Sequence, residues 1–175
     1  TNAINGLNGG SGWGSAWTGN NNVLAGSLSR PSVPTSGNRL TTDGNNVISY
    51  RLLATAGQGS MLTPGGEFGK EGTTIWVSCL MRRDADSAAG SGRYAGLSFF
   101  HNGGAEELII GIPWEAANWG IHFHDLGASA PGLSSTPIVN GSTVWLVAKI
   151  SFGVSGTSDR VDLFVNPSPT VAPTT

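Results

Sequence analysis

Hydrophobic and polar residues alternate along this chain in short runs separated by turn residues, a pattern typical of antiparallel β-sheets. The clearest run is Thr143–Phe152. Its even-numbered positions are all apolar, whereas its odd-numbered positions include Trp145 and Lys149. Because successive side chains of a strand point to opposite faces, this pattern predicts a strand with one buried face.

Six further runs predict strands. An Asn-Gly turn at Asn102-Gly103 directly follows one predicted strand, and another at Asn140-Gly141 lies just before Thr143–Phe152. The predicted strands are Asn46–Leu53, Thr73–Arg82, Tyr94–His101, Glu107–Pro113, Trp119–His124 and Arg160–Val165. No segment sustains the apolar spacing of an amphipathic helix. The pattern therefore predicts an all-β protein.

The composition predicts one folded domain. The chain has 175 residues, of which 27 are glycine and only 11% are charged. A chain of this length forms one core, and its residue types favour strands and turns. We predict a β-sandwich over residues 1–165, whose Gly/Asn-rich segment 1–22 is pinned by Trp13 and Trp17. The Pro/Thr-rich residues 166–175 are predicted to form an extended linker or tail.

Charge and cysteine content exclude several classes of function. The formal net charge is −2, and the nine Lys and Arg residues are scattered, so we expect no nucleic-acid partner. No stretch reaches the ~20 apolar residues of a membrane-spanning helix. Cys79 has no second cysteine to pair with. It is expected to act as a small buried apolar side chain within its strand.

Five short segments resemble a family of secreted bacterial modules. These segments are Gly9–Trp13, Ala25–Leu28, Thr73–Ser78, Tyr94–Phe100 and Val161–Pro167. The chain resembles the concanavalin A-like (laminin-G-like) jelly-roll modules of bacterial surface proteins, from about Gly9 to Pro167. The resemblance implies a two-sheet antiparallel jelly-roll sandwich of concanavalin A-like lectin/glucanase type.

The chain departs from that family at both ends. Family members carry an aromatic strand before the Gly-Gly-Ser-Gly segment and further strands after the Asn-Pro turn, and neither is present here. Sheet edges without these strands would present unpaired backbone groups. Either the chain is trimmed at its ends, or its sheet edges are open and are completed by self-association, in which a neighbouring chain donates a strand.

The sequence lacks the residue patterns of catalysis, and we expect the protein not to be an enzyme. Glycan hydrolysis on a sheet needs two carboxylates on one face, hence at even spacing along a strand. Glu106 and Glu107 are adjacent, and Asp159 and Asp162 are three positions apart. The Glu-x-Asp-x-Glu signature of glucanases is missing, as is the Gly-x-Ser-x-Gly turn of serine hydrolases.

Aromatic and polar residues concentrate around one predicted hairpin. Sugars present apolar C–H faces and hydroxyl groups, so their sites combine flat aromatic rings with polar side chains. The predicted ligand-binding residues are Trp114, Asn118, Trp119, His122, His124 and Asp125. The alternative is that the two tryptophans seal the end of the core and that the histidines line a polar sheet face.

Two metal sites are conceivable from spacing. His122 and His124 share one strand face and Asp125 follows them, which suits a divalent transition metal. Asp84 and Asp86 lie in a Gly/Ser-rich stretch, where carboxylates and carbonyls suit Ca²⁺. The alternatives are a plain polar sheet face and a solvated loop.

These observations favour a non-catalytic extracellular carbohydrate-binding module of a larger exported protein. Its partner would be a polysaccharide or surface glycan, and its location secreted or on the bacterial cell surface. The alternative is a structural or adhesive subunit of a surface layer or extracellular filament, assembled through open sheet edges.

Overall fold

A computed structural model describes residues 2–42, 47–85, 94–101, 104–124, 130–154 and 158–174. In these residues the regular structure consists of β-strands and one 3₁₀ turn at Gly59–Met61, with no α-helix, which confirms the predicted all-β class. The strands are β1 (Asn2–Ala3), β2 (Thr18–Gly19), β3 (Asn22–Leu24), β4 (Arg39–Thr41), β5 (Ser49–Tyr50), β6 (Thr74–Arg82), β7 (Ala95–Phe100), β8 (Glu106–Ile112), β9 (Asn118–Phe123), β10 (Gly132–Pro137), β11 (Thr143–Ser151) and β12 (Arg160–Val165). No helix of this described part is long and apolar enough to cross a membrane.

The residues of the chain group into two compact units. The first unit comprises Thr1–Leu28, Pro34–Thr74 and Phe152–Asp159. The second unit comprises Ser29–Val33, Ile75–Ser151 and Arg160–Thr175.

The second unit holds the two largest sheets. One has four antiparallel strands in the order β10-β9-β8-β7, and the other has the order β12-β11-β6. Strand β11 lies against β8, and β12 lies against β9 and β10. Two sheets in face contact are compatible with a β-sandwich.

The core of the second unit follows from the alternation in its strands. In β11 the even positions Val144, Leu146, Ala148 and Ile150 are buried, as the sequence predicts. Strand β8 differs, because its apolar run is buried at consecutive positions. The other buried apolar side chains of this unit are Leu108, Ile109, Ile110, Ile112, Ala116, Trp119, Ile138 and Val147.

Cys79 lies in the middle of β6 on the same face as Ile75 and Val77. Its side chain is partly buried rather than fully buried. Desolvation nevertheless raises the pKa of its thiol to about 12, so the thiol stays protonated at neutral pH.

The Gly/Asn-rich segment of the first unit packs around one arginine. The guanidinium carbon of Arg51 lies 4.7 Å from the ring centroid of Trp13 and 5.5 Å from that of Trp17. The guanidinium also donates hydrogen bonds to the carbonyl oxygens of Gly9 and Ser15. These contacts are the kind of pinning by aromatic residues that the sequence suggested for this segment.

Replacing Arg51 with lysine is expected to loosen this segment. Lysine keeps the charge but loses the planar fork of donors that reaches two carbonyls at once. We expect a loss of about 1–2 kcal/mol in the free energy of unfolding and faster limited proteolysis within residues 8–17. Lys70→Arg, the reverse exchange at an exposed position, is the control. Unchanged proteolysis in R51K would contradict the structural role of the guanidinium.

Candidate functional site

The hairpin between β8 and β9 carries an exposed tryptophan at its tip. The turn closes where the backbone N–H of Ala116 donates to the carbonyl of Pro113 at 2.9 Å. Glu115 takes a left-handed conformation with φ of 53°, a backbone state that costs a non-glycine residue energy. Trp114 lies beside it and is 67% exposed. The turn therefore holds a large aromatic side chain in solvent.

His122 of β9 and His124, which directly follows the strand, project to the same side, as their spacing predicts. His122 pairs with Ile109 of β8 in the sheet register, and His124 follows two positions later. His122 Nδ1 lies 3.4 Å from His124 Nε2, and the ring centroids are 4.6 Å apart in an edge-on arrangement. The two imidazoles thus form one contiguous polar surface.

A tyrosine and a glutamate complete the polar surface around His124. The Tyr94 hydroxyl donates to Glu106 Oε2, and its oxygen lies 2.8 Å from His124 Nε2. A proton on His124 Nε2 fits this arrangement, because the phenol oxygen then accepts one hydrogen bond and donates another. Glu106 Oε2 also lies 3.4 Å from His124 Nε2. The three groups form a continuous hydrogen-bonded chain.

The exposed tryptophan is continuous with this polar surface through Tyr94. The Tyr94 ring centroid lies 6.3 Å from that of Trp114 and 5.9 Å from that of His124. Tyr94, Glu106, Trp114, His122 and His124 are hereafter called the aromatic–polar cluster. It presents flat ring faces beside hydrogen-bond donors and acceptors, the composition of a site for a polar ligand with apolar patches.

The structure separates two predicted site residues, Trp119 and Asn118, from the aromatic–polar cluster. Trp119 is only 1% exposed and packs in the core, so its ring is not available to a ligand at the surface. Its position differs from that of His122 by an odd number, which places the two side chains on opposite faces of β9. Asn118 donates a side-chain hydrogen bond to the carbonyl of Ser134 at 2.7 Å and joins β9 to β10. Asp125 lies outside the described residues.

The proposed calcium ligands are not assembled in the described part of the chain. Asp84 forms an ion pair with Arg82 at the end of β6 and is largely exposed. Asp86 lies outside the described residues. Within the described ranges, no group of three or more His, Cys, Asp or Glu side chains is arranged to hold a metal ion.

Tyr94 and Glu106 are members of the cluster that the sequence did not point to. Tyr94 precedes β7 and Glu106 begins β8, and the antiparallel register pairs Ala95 with Ile112. The two residues thus start at opposite ends of a hairpin, which gives no expectation of contact. The long side chains of Tyr94 and Glu106 bridge that separation. The one signal in the sequence is that Tyr94 alternates with Gly96 and Ser98, which places these three residues on one face of the sheet.

The pKa of Tyr94 is raised above its ordinary value near 10. The main cause is desolvation, followed by the hydrogen bond to Glu106 and the negative charge of that carboxylate. The folded protein thus favours the neutral phenol. The stability that this provides is fully present below the ordinary tyrosine pKa and is lost as the pH rises through the folded-state pKa.

Tyr94→Phe tests this shift in an alkaline titration monitored by phenolate absorbance. The chain has two tyrosines, so wild type minus Y94F isolates the signal of Tyr94. We expect little difference signal up to about pH 11, one unit above the ordinary tyrosine pKa. A difference signal with its midpoint at the ordinary value would contradict the hydrogen bond to Glu106.

Comparison of the chain with models of protein families, with curated proteins and with solved structures finds no match.

Proposed function

We propose that this chain is a non-catalytic carbohydrate-binding module and that the aromatic–polar cluster is its site. The observation that carries the proposal is the solvent-exposed ring of Trp114, held by a strained turn next to Tyr94. An exposed tryptophan beside convergent polar groups is typical of a binding surface.

The chemistry of the aromatic–polar cluster suits a sugar. A pyranose ring stacks its C–H face on an aromatic ring and directs its hydroxyl groups sideways. Here the Tyr94 hydroxyl contacts the carboxylate of Glu106 and the imidazole of His124, and His124 contacts His122. Such groups both donate hydrogen bonds to hydroxyls and accept them.

Two features support a non-catalytic role. The five residues of the cluster include one carboxylate, Glu106, whereas glycoside hydrolysis uses two. The phenol of Tyr94 is protonated at neutral pH, and its raised pKa makes it a still poorer general base.

The finer fold and the location belong to the same proposal. The two antiparallel sheets of the second unit suit a concanavalin A-like jelly roll, a fold that carries sugar sites on its sheet faces. The low content of charged residues and the abundance of small polar residues suit a secreted or cell-surface module of a larger bacterial protein.

A glycan array followed by affinity electrophoresis in gels containing soluble polysaccharides tests the proposal. We expect retardation by at least one polysaccharide, and loss of that retardation in Trp114→Ala. Trp13→Ala, in the first unit, is the matched control and should be retarded like the wild type. The proposal fails if no glycan binds, or if W114A binds the same glycan equally well.

A structural or adhesive subunit is the second candidate function. The first unit leaves many large apolar side chains exposed, among them Leu40, Ile48, Leu52 and Leu53. Exposed apolar surface of this extent commonly marks contacts between proteins. Concentration-dependent oligomers in light scattering, unaffected by any sugar, would favour this function. A monomer at every concentration would exclude it.

A further inference from the structure

The second sheet of the same unit carries another exposed aromatic surface. In the register of β11 and β12, Val147 pairs with Phe164, and Lys149 pairs with Asp162. Directly paired residues of antiparallel strands share a face. These four side chains therefore lie on the face opposite to the buried Leu146 and its neighbours.

An aromatic pair covers this outer face. The ring of Trp76, from β6, lies 6.2 Å from that of Phe164, from β12, with an angle of only 23° between the planes. Val147 lies on the central strand between them and is 7% exposed despite its outward position. Trp76 is 47% exposed. The two rings thus lie with near-parallel planes, and almost half of the Trp76 side chain is open to solvent.

A cation lies over the ring of Trp76. Lys149 Nζ is 5.9 Å from the centroid of the Trp76 ring. On the same strand pair, Arg160 forms an ion pair with Asp162 at 2.7 Å, so these two charges neutralise each other. Lys149 thus leaves a net positive charge beside the exposed ring. Trp76, Lys149 and Phe164 are hereafter called the Trp76 platform.

A groove continues from the Trp76 platform. It has a volume of about 530 Å³, and Phe164 lines it together with residues of β10 and the segment that follows β12. Its lining includes the hydroxyl-bearing Ser134 and Thr136 and also Pro167. Because Phe164 borders both features, an extended chain molecule could contact the platform and the groove at once.

We infer that the Trp76 platform and its groove form a second binding site, one for an acidic polysaccharide. A sugar ring stacks on Trp76, its carboxylate lies by Lys149, and further units of the polymer run past Phe164 into the groove. The positive charge beside an aromatic face favours an anionic sugar over a neutral one. This inference goes beyond the proposed function, because the site lies on the other sheet and has its own ligand class.

Isothermal titration with polygalacturonate and with its fully methyl-esterified form tests the inference. The two polymers share sugar rings and differ in the carboxylate charge. We expect wild type to bind the acidic polymer more tightly, and Lys149→Gln to weaken that binding about fivefold without affecting the esterified polymer. Lys70→Gln removes the same charge from the first unit and should bind like the wild type.

The aromatic part of the site has its own variants. Trp76→Ala should weaken binding of both polymers about tenfold. Trp76→Phe retains an aromatic ring and is the second variant in case W76A lowers the thermal stability. W76F should keep most of the affinity for both polymers.

The outcomes separate this inference from the proposed function. Binding of acidic polymer that falls in W114A but not in K149Q overturns the inference and leaves the aromatic–polar cluster in place. Binding that falls in K149Q but not in W114A supports the inference independently of that cluster. Equal affinity for both polymers, no binding at all, or K149Q-sensitive binding of single-stranded DNA in place of the polymer would each overturn it.

Discussion

Replacing Trp119 with alanine is expected to lower the free energy of unfolding by about 3–5 kcal/mol. Trp119 is 1% exposed and is among the largest fully buried side chains of the described structure. Its removal leaves a cavity and takes away the contacts of a large ring. Urea unfolding monitored by circular dichroism measures the change.

Trp119→Phe refines this prediction. Among the described residues, the indole N–H of Trp119 is buried without a hydrogen-bond partner. Phenylalanine fills much of the same space and removes that unpaired donor, which is itself destabilising when buried. W119F should therefore lose much less stability than W119A. If W119A unfolded at the wild-type urea concentration, the placement of Trp119 in the core would be wrong.

Replacing Trp114 with alanine is expected to abolish most glycan affinity while stability stays within about 0.5 kcal/mol of the wild type. The substitution W114A removes the same side chain as W119A, but Trp114 is 67% exposed. Removing an aromatic anchor from a binding site typically costs about 2 kcal/mol, more than tenfold in the dissociation constant. Titration calorimetry with a glycan found by the array measures the loss.

The comparison of W114A with W119A controls for unfolding. Both remove an indole from the same hairpin, so loss of binding without loss of stability points to direct contact. Loss of stability in W114A comparable to that in W119A would instead show that Trp114 is a structural residue, as the alternative interpretation of the sequence held.

The strands that are predictable from sequence are those with a regular alternation or a dense apolar run. β6, β11 and β12 lie within one residue of the predicted bounds, because each has apolar residues at alternate positions. β10 was not predicted, since its sequence of Gly, Leu, Ser, Ser, Thr and Pro has no apolar alternation. It forms because β9 offers it a partner, a tertiary effect that local pattern does not contain. The predicted strand Asn46–Leu53 shrinks to Ser49–Tyr50 within the residues described there.

For the candidate site, the sequence predicted only which side chains share a face of a strand and where the hairpin turns. The period of two places His122 and His124 on one face, and the hairpin predicts a turn at Trp114. The same period of two places Trp119 and His122 on opposite faces of β9. The predicted site grouped these residues because they are close in sequence, and so overlooked this difference. The contribution of Tyr94 depends on how a long side chain crosses the sheet, and the exposure of Trp76 depends on which face of its sheet is covered. Neither is contained in local sequence.

The aromatic–polar cluster is tested most directly by the tryptophan indole N–H signals in a ¹H–¹⁵N NMR spectrum. The chain has six tryptophans, and Trp114→Phe and Trp119→Phe assign the two decisive signals. Titration with a glycan that the array identifies should shift the Trp114 signal and leave that of the buried Trp119 unchanged. An unchanged Trp114 signal in the presence of bound glycan would contradict the assignment of the cluster as the sugar site.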